Sequence, residues 1–177
     1  SKVHENIEFH CQNGVESIEI SGCDPGDGKY EDLLEIVKHI YKNNVPVMLS
    51  TNGISLNDED KARELVDSGV KWIRIPIYGT TPEMHEPLMG NIKNSFYDSL
   101  QSLIHFIKAG ALVNFQTLIS KYNKENMADI IIMFLEICKK YSPHGLNAIS
   151  DINISTPSIA DPITIEKIID LESYYIP

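Results

Sequence analysis

Five short runs of apolar and β-branched residues recur along the chain, at 17–21, 45–50, 71–78, 112–119 and 146–154. Each reads as a strand, and each is followed by a stretch whose apolar residues repeat with helical spacing. Residues 30–43 place Leu33, Ile36, Val37, Ile40 and Tyr41 on one face, and residues 58–68 place Ala62, Leu65 and Val66 on another. Asn57 is the expected N-cap of that second helix and Gly69 its C-cap. Residues 94–109 turn Phe96, Leu100, Leu103, Ile104 and Ile107 inward and stop at Gly110. The most apolar helix is expected over 125–141 and the last over 164–174, and the opening residues to about Asn13 read as a helix feeding the first strand.

Strand and helix alternate every roughly 30–40 residues, the spacing of βαβ units with parallel strands and right-handed crossovers. Five units fall short of a closed eight-stranded barrel, which takes roughly 250 residues. An open doubly wound sheet, a partial barrel and a fragment of a larger barrel all remain compatible with the pattern. No strand begins before Ser17, so any earlier strand lies outside this chain. Nothing resembles a linker except 155–162, and residues 1–177 are read as a single α/β domain.

Composition narrows the function. The chain has 177 residues, 42% of them hydrophobic, and its 25 acidic and 15 basic residues leave a net charge of −10. An acidic balance argues against nucleic-acid binding by phosphate neutralisation and against a polybasic membrane surface. No apolar run approaches the roughly 18–20 residues of a membrane span. No secretory leader pattern opens the sequence. Three cysteines do not make a disulfide framework, so the reducing cytoplasm is the expected compartment.

In parallel α/β folds ligands bind beyond the carboxyl ends of the strands. The first such segment, 21–28, combines Gly22, Gly26 and Gly28 with the carboxylates of Asp24 and Asp27. It reads either as a ligand loop or as a tight turn with helix-capping aspartates. Thr51-Asn52-Gly53 follows the second strand and by itself is an ordinary turn sequence. On the fourth strand, alternation sets Asn114, Gln116, Leu118 and Ser120 on one face, where the two amides need partners. No GxSxG, GxxxxGK[ST] or GxGxxG occurs, and the six histidines show no HExxH, so a zinc site is not expected. His85, with Glu86 in the same loop, reads first as an ordinary solvated loop histidine, a place in a substrate pocket being the alternative.

The order of these segments resembles the core of the radical S-adenosylmethionine (SAM) superfamily. Gly22-Cys23-Asp24-Pro25 stands where that family carries Gly-Gly-Glu, and Thr51-Asn52-Gly53 matches the end of the next strand. The stretch from Leu65 to Gly69 with residues 71–77, then His85, Gly90 and Ser95-Phe96, then the run ending in Asn123, follow in the family's order. The resemblance implies a partial (βα)6-type TIM-like barrel whose first strand and cluster loop are absent from this chain. It implies an enzyme that cleaves SAM reductively to a 5′-deoxyadenosyl radical and abstracts hydrogen from a substrate. Gly22, Cys23 and Asp24 would hold the SAM amino group, Thr51 and Asn52 would line the pocket, and Asn114 and Gln116 would meet its ribose and carboxylate. Pro76 stands where relatives commonly carry Ser.

The family also implies a 4Fe–4S cluster on a CxxxCxxC segment. Cys11, Cys23 and Cys138 do not have that spacing and read as small apolar residues, Cys23 the least so. No metal ligand is therefore assigned within the chain, and the cluster's ligands are expected upstream of Ser1. The segments after the third and fourth strands look closest to peptide- and protein-modifying maturases. Expected partners are an unidentified substrate, of the peptide or protein class by that likeness, and a one-electron donor. A cluster-less SAM-like binding module and an unrelated (βα)-barrel lyase are the competing readings.

Overall fold

The computed structural model describes residues 2–155. In chain order the elements are α1 (Lys2–Gln12), β1 (Ile18–Ile20), α2 (Tyr30–Lys42), β2 (Val47–Ser50), α3 (Glu59–Asp67), β3 (Val70–Arg74), α4 (Pro82–His85), α5 (Ser95–Lys108), β4 (Leu112–Leu118), α6 (Met127–Tyr141) and β5 (Ile149–Ser155). All five strands join one sheet in the order β1-β2-β3-β4-β5, and every neighbouring pair is parallel. A doubly wound sheet reverses its strand order at a switch point. Here each crossover advances in the same direction, which makes the sheet an arc of a barrel with its helices on one side.

The two faces of the arc differ in chemistry. Toward the helices point Val47, Leu49, Ile73, Ile75, Ile77, Val113 and Phe115, all buried. They meet Leu33, Val37 and Ile40 of α2, Leu65 of α3, Leu103, Phe106 and Ile107 of α5, and Ile130 and Phe134 of α6 in one continuous core. Phe115 and Phe134 stack with ring centroids 4.2 Å apart, which fastens α6 to β4. The inner face carries Glu19, Met48, Ser50, Trp72, Arg74, Pro76, Asn114 and Gln116. Arg74 donates to Glu19 at 2.8 Å and to Asn114 at 3.2 Å, so a polar tie runs across the sheet from β1 to β4.

Several boundaries differ from the sequence pattern for identifiable reasons. The third strand ends at Arg74, not Tyr78, because Pro76 has no N–H for the ladder; one isolated bridge to Gln116 continues the pairing. The N-cap of α3 is Asp58, whose side chain accepts from the Lys61 N–H at 2.9 Å, while Asn57 donates to Asp98 instead. Gly69 lies one residue past the C-cap Ser68 at φ +130°, and a Cβ there would come within 2.5 Å of Tyr41 Cβ. The fifth strand starts at Ile149, after a 3-10 turn over Gly145–Ala148. The helix expected over 164–174 lies outside the described residues. Among the described residues no helix is long and apolar enough to cross a membrane.

Phe134 is 1% exposed and loses its stacking partner's contact when truncated. Phe134→Ala is expected to lower stability by about 3–5 kcal/mol, read from the urea midpoint at unchanged m-value.

Candidate cofactor cavity

The carboxyl ends of β1 to β4 enclose a cavity of about 270 Å³, lined by Gly22, Asp24, Ser50, Thr51, Asn52, Pro76 and Gln116. Five residues singled out from sequence therefore converge: Gly22, Asp24, Thr51, Asn52 and Gln116. Cys23 is exposed and is not part of the lining. Asn114 lies deeper, 6% exposed, with its amide held between Arg74 and Asp151 at 3.2 and 3.4 Å. Nothing in the sequence distinguishes Ser50 from an ordinary strand-end serine, and Pro76 stands out there only for the hydroxyl it lacks.

The loop after β1 and the loop after β2 are joined through Asp24. Its Oδ1 accepts from the Gly26 N–H at 2.8 Å and the Thr51 hydroxyl at 2.7 Å, and its Oδ2 accepts from the Asn52 N–H at 2.6 Å. The capping role that turn chemistry suggested is thus real, since Asp24 caps the 3-10 turn Pro25–Asp27. It is also only part of what the carboxylate does. Thr51 Oγ1 accepts from the Gly53 N–H at 3.1 Å, and Ser99 of α5 donates to the Asn52 carbonyl at 2.6 Å. Gly22 takes φ +117°, and a Cβ placed there would meet no atom within 4 Å, so the main chain is bare on that side. Across the cavity, the Gln116 side-chain amide has no hydrogen-bond partner among the described residues.

A second join links the loops after β3 and β4. Asn123, 1% exposed, donates to the carbonyls of Tyr78 at 2.7 Å and Leu118 at 2.6 Å and accepts from the Ser120 N–H at 2.7 Å. At the other backbone group of the same residue, His85 Nδ1 accepts from the Tyr78 N–H at 3.1 Å. His85 is fully buried, which corrects its reading as a solvated loop histidine: α4 folds its ring onto Tyr78 and against the edge of Phe96. The flanking aromatics were the available signal, but their contact is made only in three dimensions. Burial pulls the imidazole pKa down to about 4 and raises that of the Tyr78 phenol. His85 is accordingly neutral, as its acceptor role requires.

The model of the radical SAM superfamily matches residues 2–134. The chain belongs to the radical SAM superfamily. No curated protein matches it. Among solved structures, methylornithine synthase superposes with a TM-score of 0.58 at 17% identity, covering 87% of this chain and 42% of that enzyme. This radical SAM chain thus spans less than half the length of that protein. Dihydrodipicolinate synthase from Oceanobacillus iheyensis gives a TM-score of 0.43 at 14% identity, over 94% of this chain and 49% of its own. The first of these likenesses supports the partial-barrel fold, and family membership replaces the reading as an unrelated lyase. The superfamily implies both SAM and a 4Fe–4S cluster, and the two fare differently against the residues present. The open cavity, the bare Gly22 main chain and the unpartnered Gln116 amide fit SAM. For the cluster there is no fit among the described residues: no group of three His, Cys, Asp or Glu side chains is placed to hold a metal. Cys11 is half-buried on α1, Cys23 is exposed on the first loop, and Cys138 is buried on α6 with its thiol pKa pushed up to about 11 by burial.

The neutral His85 makes stability depend on pH. Its folded pKa lies below the unfolded value near 6.5, so its contribution is complete above pH 6.5 and is lost as pH falls toward 4. Urea unfolding across that window is expected to show a decline of roughly 2–3 kcal/mol, and His85→Gln should flatten this part of the profile.

Proposed function

We propose that this chain is the SAM-binding core of a radical SAM enzyme that abstracts hydrogen from its substrate. The observation that carries the reading is the cavity itself, where an unencumbered glycine main chain faces a free amide across four strand ends. Gly22 and Cys23 would meet the amino-acid end of SAM through the main chain, with Asp24 beside them. Thr51 and Asn52 would form the wall, and Gln116 would donate to and accept from ribose or carboxylate oxygens. Asn114, already held by Arg74 and Asp151, would act by supporting the strand beneath the cavity. When bound beside a reduced cluster, SAM supplies a carbon-centred radical; the protein's part is to hold it, orient it and keep water from it. The cluster's thiolates would come from outside the described residues, and no step through it is derived from this chain. The substrate is a peptide or protein segment in this reading, electrons come from a one-electron donor, and the compartment is the reducing cytoplasm that keeps three free thiols reduced.

Two measurements test the proposal. The full-length protein, reconstituted anaerobically with iron and sulfide and reduced with dithionite, should release 5′-deoxyadenosine from SAM; an absence of iron uptake or of that product would sink it. By calorimetry, Gln116→Leu should weaken SAM binding about tenfold, the worth of one lost hydrogen bond to a charged or polar ligand group, with thermal stability unchanged.

A further inference from the structure

We infer that the inner face of β5 is the substrate side of the site, and that Asp151 there holds the ammonium group of a lysine-type side chain. The inference rests on the peptide substrate read above and names its chemistry. The cavity assigned to SAM ends at Gln116 on β4, and no residue of β5 is among its described lining. β5 runs parallel beside β4, with Asn114 opposite Asp151 and Gln116 opposite Asn153. The Asn114 amide donates to Asp151 Oδ2 at 3.4 Å, which places that carboxylate on the inner face. Alternation sets Asn153 on the same face, while Ile152 and Ile154 turn with Phe115 toward the helices.

Charge singles out Asp151. The described strands carry three ionised side chains on this face: Glu19, Arg74 and Asp151. Arg74 is spent on Glu19 and on Asn114. Asp151 is exposed and forms no ion pair among the described residues. A surface with one unmatched carboxylate, whose single guanidinium is already paired, favours a cation and opposes an anion. Geometry narrows the cation. A guanidinium is met best by both oxygens of one carboxylate, in a planar fork. Asp151 has turned Oδ1 onto the Ile152 N–H at 2.8 Å, so Oδ2 alone is left with capacity. A compact ammonium needs only one such acceptor.

Asn153 makes no side-chain hydrogen bond among the described residues and stands opposite the free amide of Gln116. Its donor and acceptor together complement a peptide group. Asp151 lies two residues deeper in the arc, about 6–7 Å along the strand. The four-carbon stem of lysine spans that depth while its peptide group stays at Asn153.

The experiment uses the full-length protein and four capped amino acids, the Nα-acetyl N-methylamides of lysine, arginine, norleucine and glutamate. Affinities are read by ligand-observed NMR, first without SAM and then with it. The lysine probe should bind about fivefold tighter than norleucine and about twofold tighter than arginine, with glutamate the weakest. Asp151→Asn should bring lysine and norleucine to within about twofold of each other. Its SAM affinity by calorimetry and its thermal midpoint should stay close to those of the unsubstituted protein, which a purely structural role for the carboxylate would not give. The inference is overturned by equal binding of lysine and norleucine, by a preference for arginine or glutamate, by no binding of the lysine probe at millimolar concentration, or by an undiminished lysine preference in Asp151→Asn. Should that variant not fold, the order of the probes on the unsubstituted protein decides. A protein that fails to bind SAM overturns the function proposed above, and the two failures are distinguishable because the probes are first ordered without it.

Discussion

Parallel pairing of consecutive strands is the constraint on which everything else depends. A parallel neighbour is reached only by a crossover that returns the chain along the outside of the sheet. When each crossover moves one place in the same direction, all carboxyl ends collect on one rim and all helices on one flank. Gly22, Thr51, Pro76 and Gln116 are far apart in sequence, yet each is at or just beyond the end of a strand. Their convergence follows from topology before any side chain is considered.

Topology brings the loops to one rim without setting their conformation, and the rim is fixed by two side-chain joins. Asp24 fastens the loops after β1 and β2, while Asn123 and His85 grip the carbonyl and the N–H of one residue, Tyr78, and so fasten the loops after β3 and β4. The cavity opens between the two fastened pairs. Buried polar groups are costly unless satisfied. Asn123 uses both its amide hydrogens and its oxygen; His85 stays neutral with Nδ1 accepting from Tyr78, while its buried Nε2 has no hydrogen-bond partner among the described residues. Such joins set loop positions before a ligand arrives, which lowers the ordering cost of binding.

The contrast between the two faces of the arc has a functional sense. Isoleucine, valine and phenylalanine on the helix side provide the stability, each fully buried large side chain contributing roughly 1.5–3 kcal/mol. The inner side carries Glu19, Arg74, Asn114 and Gln116 in place of the branched apolar layers that usually fill a barrel. Arg74 and Glu19 are only partly shielded, so their pairing contributes little to stability. Its consequence is local: it holds the Asn114 amide and keeps the surface under the cavity polar.

Strand and helix locations, the parallel class, and most of the cavity wall were legible in the residue pattern because they depend on local periodicity and on order along the chain. The short reach of β3 was foreseeable from Pro76, and Gly69 marked the end of α3 though Ser68 took the capping position itself. Other features needed coordinates. Whether Asn114 or Gln116 faces a ligand is the same question by strand parity, and only the neighbours contributed by β3 and β5 separate the tethered amide from the free one. His85 looks polar and loop-borne in sequence, and is buried because Tyr78 and Phe96 close over it from two other segments. Sequence alone therefore determined which residues reach the rim of this sheet, since that depends on period and order. Tertiary structure alone decided which of them are spent on one another and which stay open, since hydrogen bonds between distant segments are matters of distance that no local pattern encodes.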